Sequence, residues 1–272
     1  MQKDISVIIS TYNSPDWLKK VIYGYNTQTY RNFEVIIADD GSDERTSKLL
    51  LELQEEVFFP IKHVWHEDNG FQKTIILNKA ILAATTDYIL TTDGDCIPRE
   101  DFIEQHIKHR EEGYFLSGGY YKLPMDISSE ISKEDIFSGK CFNLKWLKKH
   151  GIKDSFKNNK LITNGLRSWF LNFTTPTTAS WNGHNASGWK SDFFIVNGFD
   201  ERMQYGGEDR EFGERLLNYG IKSKQIRYST VCIHLDHARG YVKPEMIFKN
   251  QQIRKETKVQ KRTWTEFGIN KK

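Results

Sequence analysis

The first third of the chain alternates apolar runs with amphipathic stretches. Ile5-Ser6-Val7-Ile8-Ile9-Ser10 is apolar and β-branched almost throughout, as a strand buried on both faces should be. Thr11-Tyr12-Asn13-Ser14-Pro15 interrupts it, and Pro15 after Ser14 predicts a serine-capped helix reaching to about residue 28. Phe33-Glu34-Val35-Ile36-Ile37-Ala38 reads as the second strand. The turn Asp39-Asp40-Gly41-Ser42 follows, then a helix from Ser42 or Asp43 to about Glu56. A strand over 61–65, a helix over 72–84 and a strand over 88–92 continue the series. Strict strand–helix alternation predicts an α/β fold with a parallel sheet and right-handed crossovers.

Beyond Gly119 the alternation fails. The stretch from Lys140 to His150 mixes basic and aromatic residues. It fits either a helix lying on anionic lipid or an anionic acceptor, or a solvated helix with an apolar inner face. Further on, Asp209 to Tyr219 reads as a helix. Val231 to His237 reads as a strand ending in two histidines, and 244–262 as a basic surface helix closing the domain. The expected organisation is one domain: a nucleotide-sugar-binding half (1–119), an inserted lobe (120–165), an acceptor half (166–240) and the C-terminal helix (241–272).

Composition narrows the class without choosing a function. A 38% hydrophobic, 28% charged chain of 272 residues describes a folded globular protein. Its net charge of +3 demands no nucleic-acid partner. Three scattered cysteines, Cys96, Cys141 and Cys232, predict a reducing compartment rather than a disulfide framework. Met1-Gln2-Lys3-Asp4 runs straight into the first strand without a signal-peptide pattern, and no apolar stretch is long enough to span a bilayer. A cytoplasmic protein is expected, with peripheral membrane contact left open.

The chemistry gathers at strand ends, where open α/β sheets bind ligands. Three polar turns stand there: Thr11-Tyr12-Asn13, Asp39-Asp40-Gly41-Ser42 and Asp93-Gly94-Asp95. Each alone is an ordinary turn; three on one edge predict a nucleotide–metal site. Two carboxylates one residue apart face one point only if the backbone turns sharply, and Gly94 permits that. Such a pair suits a hard divalent cation that keeps positions open for phosphates. His234 and His237, three apart, are candidates to share that ion, and an imidazole beside carboxylates favours Mn²⁺ over Mg²⁺. Neither Gly-x-Gly-x-x-Gly after the first strand nor a P-loop is present. In the second half, Gly206-Gly207-Glu208-Asp209 opens a helix. Acids there are stabilised by the helix dipole, or one of them serves as a general base facing a cleft.

Together these segments resemble a family 2 glycosyltransferase of the GT-A fold. Residues 5–13, 34–42 and 87–96 are similar to its strand–Thr-Tyr-Asn, strand–Asp-Asp-Gly-Ser and strand–Asp-x-Asp series. Asn197-Gly198-Phe199 with Gly206-Gly207-Glu208-Asp209 resembles the acceptor segment of β1,4-galactosyltransferases and chondroitin-polymerase-type enzymes. The resemblance implies an inverting transferase that moves a hexose or N-acetylhexosamine from a UDP-sugar to a glycan or glycolipid hydroxyl. By the same resemblance, Thr11, Tyr12 and Asn13 would line the uridine pocket, and Asp39 or Asp40 would accept from the uracil N–H. Asp93 and Gly94 would meet the ribose or sugar. Asp95 with His237 or His234 would hold Mn²⁺, with Mg²⁺ as the alternative. Asp209 would be the base, with Glu208 beside it on a sugar. Trp181, Asn182, Asn185, Trp189 and Gly207 would shape the sugar floor. One departure is clear: where relatives carry Ala-Arg-Asn, this chain has Ile76-Leu77-Asn78, leaving Gln72, Lys73 or Lys79 to replace the arginine. A sugar-nucleotide nucleotidyltransferase would want a glycine-rich basic loop after the first strand, which Thr11–Asp16 lacks. A glycan-binding module would leave the three acidic turns unexplained.

Overall fold

The computed structural model describes residues 3–162, 165–238, 240 and 242–271; Met1 and Gln2, ahead of the first strand, and Thr163 and Asn164 of the expected lobe lie outside them. In chain order the elements are β1 (Ile5–Thr11), α1 (Pro15–Asn26), β2 (Phe33–Asp39), α2 (Glu44–Glu56), β3 (Ile61–Trp65), α3 (Lys73–Ala83), β4 (Tyr88–Asp93) and β5 (Cys96–Pro98). Then follow α4 (Phe102–His109), β6 (Tyr114–Ser117), β7 (Gly119–Lys122) and five short helices: α5 (Met125–Glu130), α6 (Lys133–Phe137), α7 (Leu144–Lys149), α8 (Asn159–Ile162) and α9 (Gly165–Thr174). The chain continues through β8 (Ala186–Trp189), α10 (Lys190–Ile195), α11 (Glu208–Tyr219), β9 (Lys222–Gln225), β10 (Val231–His234) and α12 (Pro244–Val259).

A seven-stranded sheet runs in the order β3-β2-β1-β4-β8-β6-β9. β1, β2, β3 and β4 are mutually parallel, while β8 lies antiparallel between β4 and β6. The period-2 geometry of a strand explains why β1 is apolar almost throughout. Ile5, Val7 and Ile9 enter one core and Ile8 the other. Ser6, on the Ile8 face, is satisfied by Glu34 at 2.5 Å and Thr86 at 2.8 Å. A small sheet, β5-β10-β7, pairs β10 with both segments that flank it. That second sheet fastens His234 to the strand immediately after Asp95, through the register His234↔Cys96.

α1 begins at Pro15 as its N1 preference predicts, yet Ser14 makes no side-chain cap; Asp43 does cap α2, accepting from the Arg45 N–H at 3.0 Å. The 140–150 stretch turns its apolar residues inward: Cys141 and Leu147 are buried, and Phe142, Leu144 and Trp146 pack on the same core. Its apolar residues therefore serve the core, while Lys140, Lys145, Lys148 and Lys149 stay exposed. β10 ends at His234, so His237 sits in the loop beyond the strand rather than in it. α12 packs on α11, with Arg254 paired to Glu214 and the Thr257 hydroxyl donating to Glu211 at 2.8 Å.

Candidate active site

The carboxyl ends of β1 and β4, the β10 end and the start of α11 surround one cavity of about 1040 Å³. Its walls include Thr11, Tyr12, Asn13, Asp40, Lys73, Asp93, Gly94 and Asp95 from the first half. Trp181, Asn182, Gly207, Glu208, Asp209, His234 and His237 come from the second. Pieces separated by more than a hundred residues thus meet at the sheet edge where the three polar turns lie.

Gly94 is favoured by a close contact rather than by a left-handed backbone. Its N–H donates to the Ser10 carbonyl at 2.7 Å, and a Cβ would stand 3.0 Å from that same oxygen. This close approach brings Asp93 against Ser10, whose hydroxyl donates at 2.8 Å, and against Lys73, whose Nζ is also at 2.8 Å. Burial would raise the Asp93 carboxyl, but the Lys73 charge and hydrogen bond, with His184 and Ser10, outweigh it and hold the group well below its ordinary value. Burial likewise works against the Lys73 ammonium; Asp93, Asp209 and Glu208 together keep it charged. Lys73 is thus the one of the three proposed arginine substitutes that points into the cavity. Lys79 is exposed and reaches His66 at 3.2 Å, and Gln72 contributes its backbone N–H to Asp40 at 2.9 Å.

On the other side of Gly94, Asp95 faces two imidazoles. His237 Nε2 lies 3.0 Å and His234 Nε2 3.7 Å from Asp95 Oδ2. Each ring directs Nδ1 at a backbone carbonyl, Leu235 at 2.9 Å and Ala238 at 3.0 Å. A proton on Nδ1 in that outer contact would leave Nε2 free to ligate a cation shared with Asp95. Oxygen plus two imidazole nitrogens, all within 4.8 Å of one another, fit a borderline divalent cation.

The two aspartates of the second turn separate. Asp39 is fully buried and off the cavity wall, accepting from the Ser42 N–H and bonded to His63 at 2.9 Å. Asp40 lines the cavity, bonded to His66 at 2.8 Å; burial raises its carboxyl above the ordinary value. Tyr12 caps this wall by donating to Asp68 at 2.9 Å, and Asn13, at φ 47°, accepts from the Asp43 N–H at 3.0 Å.

Across the cavity, α11 begins at Gly207, whose φ of +96° sets the turn. The next two side chains diverge, as neighbours about 100° apart on a helix must. Glu208 folds back to accept from the Gly206 N–H at 2.8 Å. Asp209 leans on the Gly183 backbone, where a Cβ would come within 2.5 Å of its Oδ2. Its Oδ1 is buried without a partner among the described residues. Burial is the main cause that lifts its carboxyl to about 7; Lys73 opposes the shift, and Glu208 and Asp93 add to it.

Two expected sugar-floor residues stand elsewhere. Asn185 is fully buried between the sheets, held by His106, Gly119 and Thr230. Trp189 packs edge-on against Tyr88 and donates to the Glu111 carbonyl at 3.0 Å. Their polar and aromatic character serves packing. Trp181 does reach the cavity, although most of its ring is core among Phe115, Phe193 and Phe212. Polar lining residues to which the sequence assigns no role include His184, Tyr205, Arg210 and Lys243. Burial holds the His184 imidazole down to about 4, so it is neutral at pH 7, with the Tyr120 ring edge-on at 4.5 Å. Only its place beside Trp181-Asn182-Gly183 could have pointed to it.

Residues 6–170 match the family described as glycosyl transferase family 2, more than half the chain. The chain belongs to that family. Residues 172–238 of this family 2 glycosyltransferase match a second description, the N-terminal domain of galactosyltransferase. Curated relatives include a hyaluronan synthase of Pasteurella multocida, 28% identical across 82% of this chain and 24% of the relative. A chondroitin synthase of Escherichia coli is 27% identical across 82% of this chain and 33% of the relative. The chain therefore spans about a quarter to a third of these proteins. Among solved structures, the Pyrobaculum calidifontis mannosyltransferase PcManGT with GDP-Man and Mn²⁺ superposes with a TM-score of 0.60 at 18% identity, over 95% of this chain and 62% of that one. Staphylococcus aureus TarS residues 1–349 with UDP-GlcNAc gives 0.60 at 15% identity, over 95% and 69%. The fold is GT-A.

Proposed function

We propose that this chain is an inverting, metal-dependent glycosyltransferase that moves a hexose or N-acetylhexosamine from a UDP-sugar to a hydroxyl of a glycan acceptor. The observation that carries the reading is Asp209: a half-buried side chain whose Oδ1 is buried without a partner among the described residues, its carboxyl raised to about 7, on the same cavity as Lys73, Asp93 and the Asp95–His234–His237 cluster. A general base works best when its pKa lies near the operating pH.

In this reading Asp40 accepts the uracil N–H from the cavity wall, and Thr11, Tyr12 and Asn13 flank the base. Asp93, kept ionised by Lys73, accepts from donor hydroxyls, and Lys73 offers positive charge to the diphosphate in place of the family arginine. A divalent cation held by Asp95, His234 and His237 would supply the charge that stabilises the departing diphosphate. Glu208, fixed by the Gly206 N–H, orients a sugar hydroxyl. Asp209 takes the proton of the acceptor hydroxyl as its oxygen attacks the anomeric carbon opposite the leaving group, a single displacement that inverts the centre. The relatives named for UDP-GlcNAc binding and for hyaluronan and chondroitin synthesis support the UDP-sugar class.

The test is a panel of UDP-sugars with glycan acceptors, scored by UDP release with Mn²⁺, with Mg²⁺ and with chelator. Release with at least one sugar, lost in chelator and in Asp95→Ala, is expected. Undiminished release in Asp95→Ala would remove the metal assignment.

A further inference from the structure

The helix α9 is amphipathic with its apolar face turned outward. Leu166, Trp169, Phe170 and Phe173 follow the i, i+3, i+4, i+7 spacing of one helical face, and they are 87, 62, 56 and 77% exposed. The opposite, polar face anchors the helix. Ser168 is buried, and Asn172 donates to Ser229 at 2.9 Å and accepts from the Tyr228 N–H at 2.9 Å. A globular protein normally buries the apolar stripe of such a helix; this one is held so as to present it.

The surroundings say what the stripe meets. From Lys140 to Arg167 there are eight Lys and Arg against one acid, Asp154. The excess of seven positive charges exceeds the whole-chain net of +3, so the remainder of the protein is net negative. A strongly basic segment leading into an exposed Trp/Phe/Leu helix face is the chemistry of a helix seated in an anionic bilayer surface. A second copy fits poorly, because a two-fold contact would bring two such basic lobes together. The lobe also adjoins the cavity: Lys160 donates to the Tyr120 carbonyl at 3.0 Å, and the Tyr120 ring packs on His184 and His234.

We infer that the α9 face, with the basic 140–167 segment that leads into it, docks this protein on an anionic lipid bilayer. Apolar side chains enter the headgroup boundary and the lysines hold the anionic lipids. The site's mouth is thereby kept beside the membrane surface.

The experiment is vesicle flotation of the full chain. One set of vesicles is pure phosphatidylcholine; the other contains equal parts phosphatidylcholine and phosphatidylglycerol. Parent protein should float with the anionic vesicles, weaken as salt rises, and stay in solution with the zwitterionic ones. Trp169→Ser with Phe173→Ser, and separately Lys153→Gln with Lys157→Gln, should each lower partitioning by roughly tenfold or more. All four positions are exposed, and the parent's lipid and salt dependence is read without any variant. Absence of binding to anionic vesicles overturns the inference. So does equal binding to both kinds, or undiminished binding in the Trp169/Phe173 variant. A dimer in light scattering that this variant dissolves would assign the face to a second copy instead.

Discussion

At the scale of single residues, the account turns on carboxylates of similar sequence context and different surroundings. Asp39 and Asp40 are adjacent, yet one braces the turn and the other lines the cavity. Asp40→Ala should therefore weaken UDP binding by about 1–3 kcal/mol, the usual cost of losing a charge-assisted hydrogen bond, measured by calorimetry. Asp39→Ala should instead lower thermal stability and leave UDP affinity of the folded protein nearly unchanged. The reverse pattern would exchange their roles. Sequence identified the pair but could not choose between them, because which carboxylate faces the ligand depends on His63 and His66, two residues of another strand and loop.

Asp209 makes a pH prediction with a definite sign. Its folded value, about 7, lies above its ordinary 3.8, so the fold favours the protonated form. The associated stability is fully present below about pH 4 and is lost as pH rises toward 7. Asp209→Asn, which cannot ionise, should thus be more stable than the parent at pH 8, by at most about 4 kcal/mol, and no more stable at pH 4. Activity runs the other way: turnover of the parent should climb through pH ~7 as the base ionises. Denaturant melts at the two pH values and a pH–rate profile check both signs. A parent profile flat from pH 6 to 8 would contradict the assignment.

At the scale of elements, the first half was legible because each local rule agreed with the next. Apolar runs made doubly buried strands, and Pro15 and Asp43 marked helix starts. The second half was legible only as isolated clusters, because β8 joins the main sheet antiparallel and β10 builds a separate sheet, pairings that no local period encodes. Asn185 and Trp189 were misplaced for that reason: their neighbours His106, Gly119, Thr230 and Tyr88 come from elsewhere in the chain. The turn before α11 carries a glycine requirement that the sequence reading, which places Gly207 only in the sugar floor, does not draw. Gly207 has φ +96°, and a Cβ there would also stand 2.9 Å from Arg254 Cδ. Gly207→Ala should cost about 1–3 kcal/mol of stability through backbone strain. It should lower turnover more than donor affinity, since Glu208 and Asp209 follow directly. Unchanged turnover in a folded Gly207→Ala protein would detach the helix start from the chemistry.

At the scale of the whole molecule, the parallel strands bring the polar turns to one edge, and the second half closes over it with α11 and β10. Lys73 joins the two halves electrically, facing Asp93 from the first and Glu208 and Asp209 from the second. Among the described residues no helix is long and apolar enough to cross a membrane. The most direct test of the whole arrangement is steady-state kinetics of Asp209→Asn with a UDP-sugar that the parent uses. The predicted result is a kcat lower by about 10²–10⁴, with UDP affinity within a few-fold of the parent. A variant that turns over within a few-fold of the parent would contradict the account.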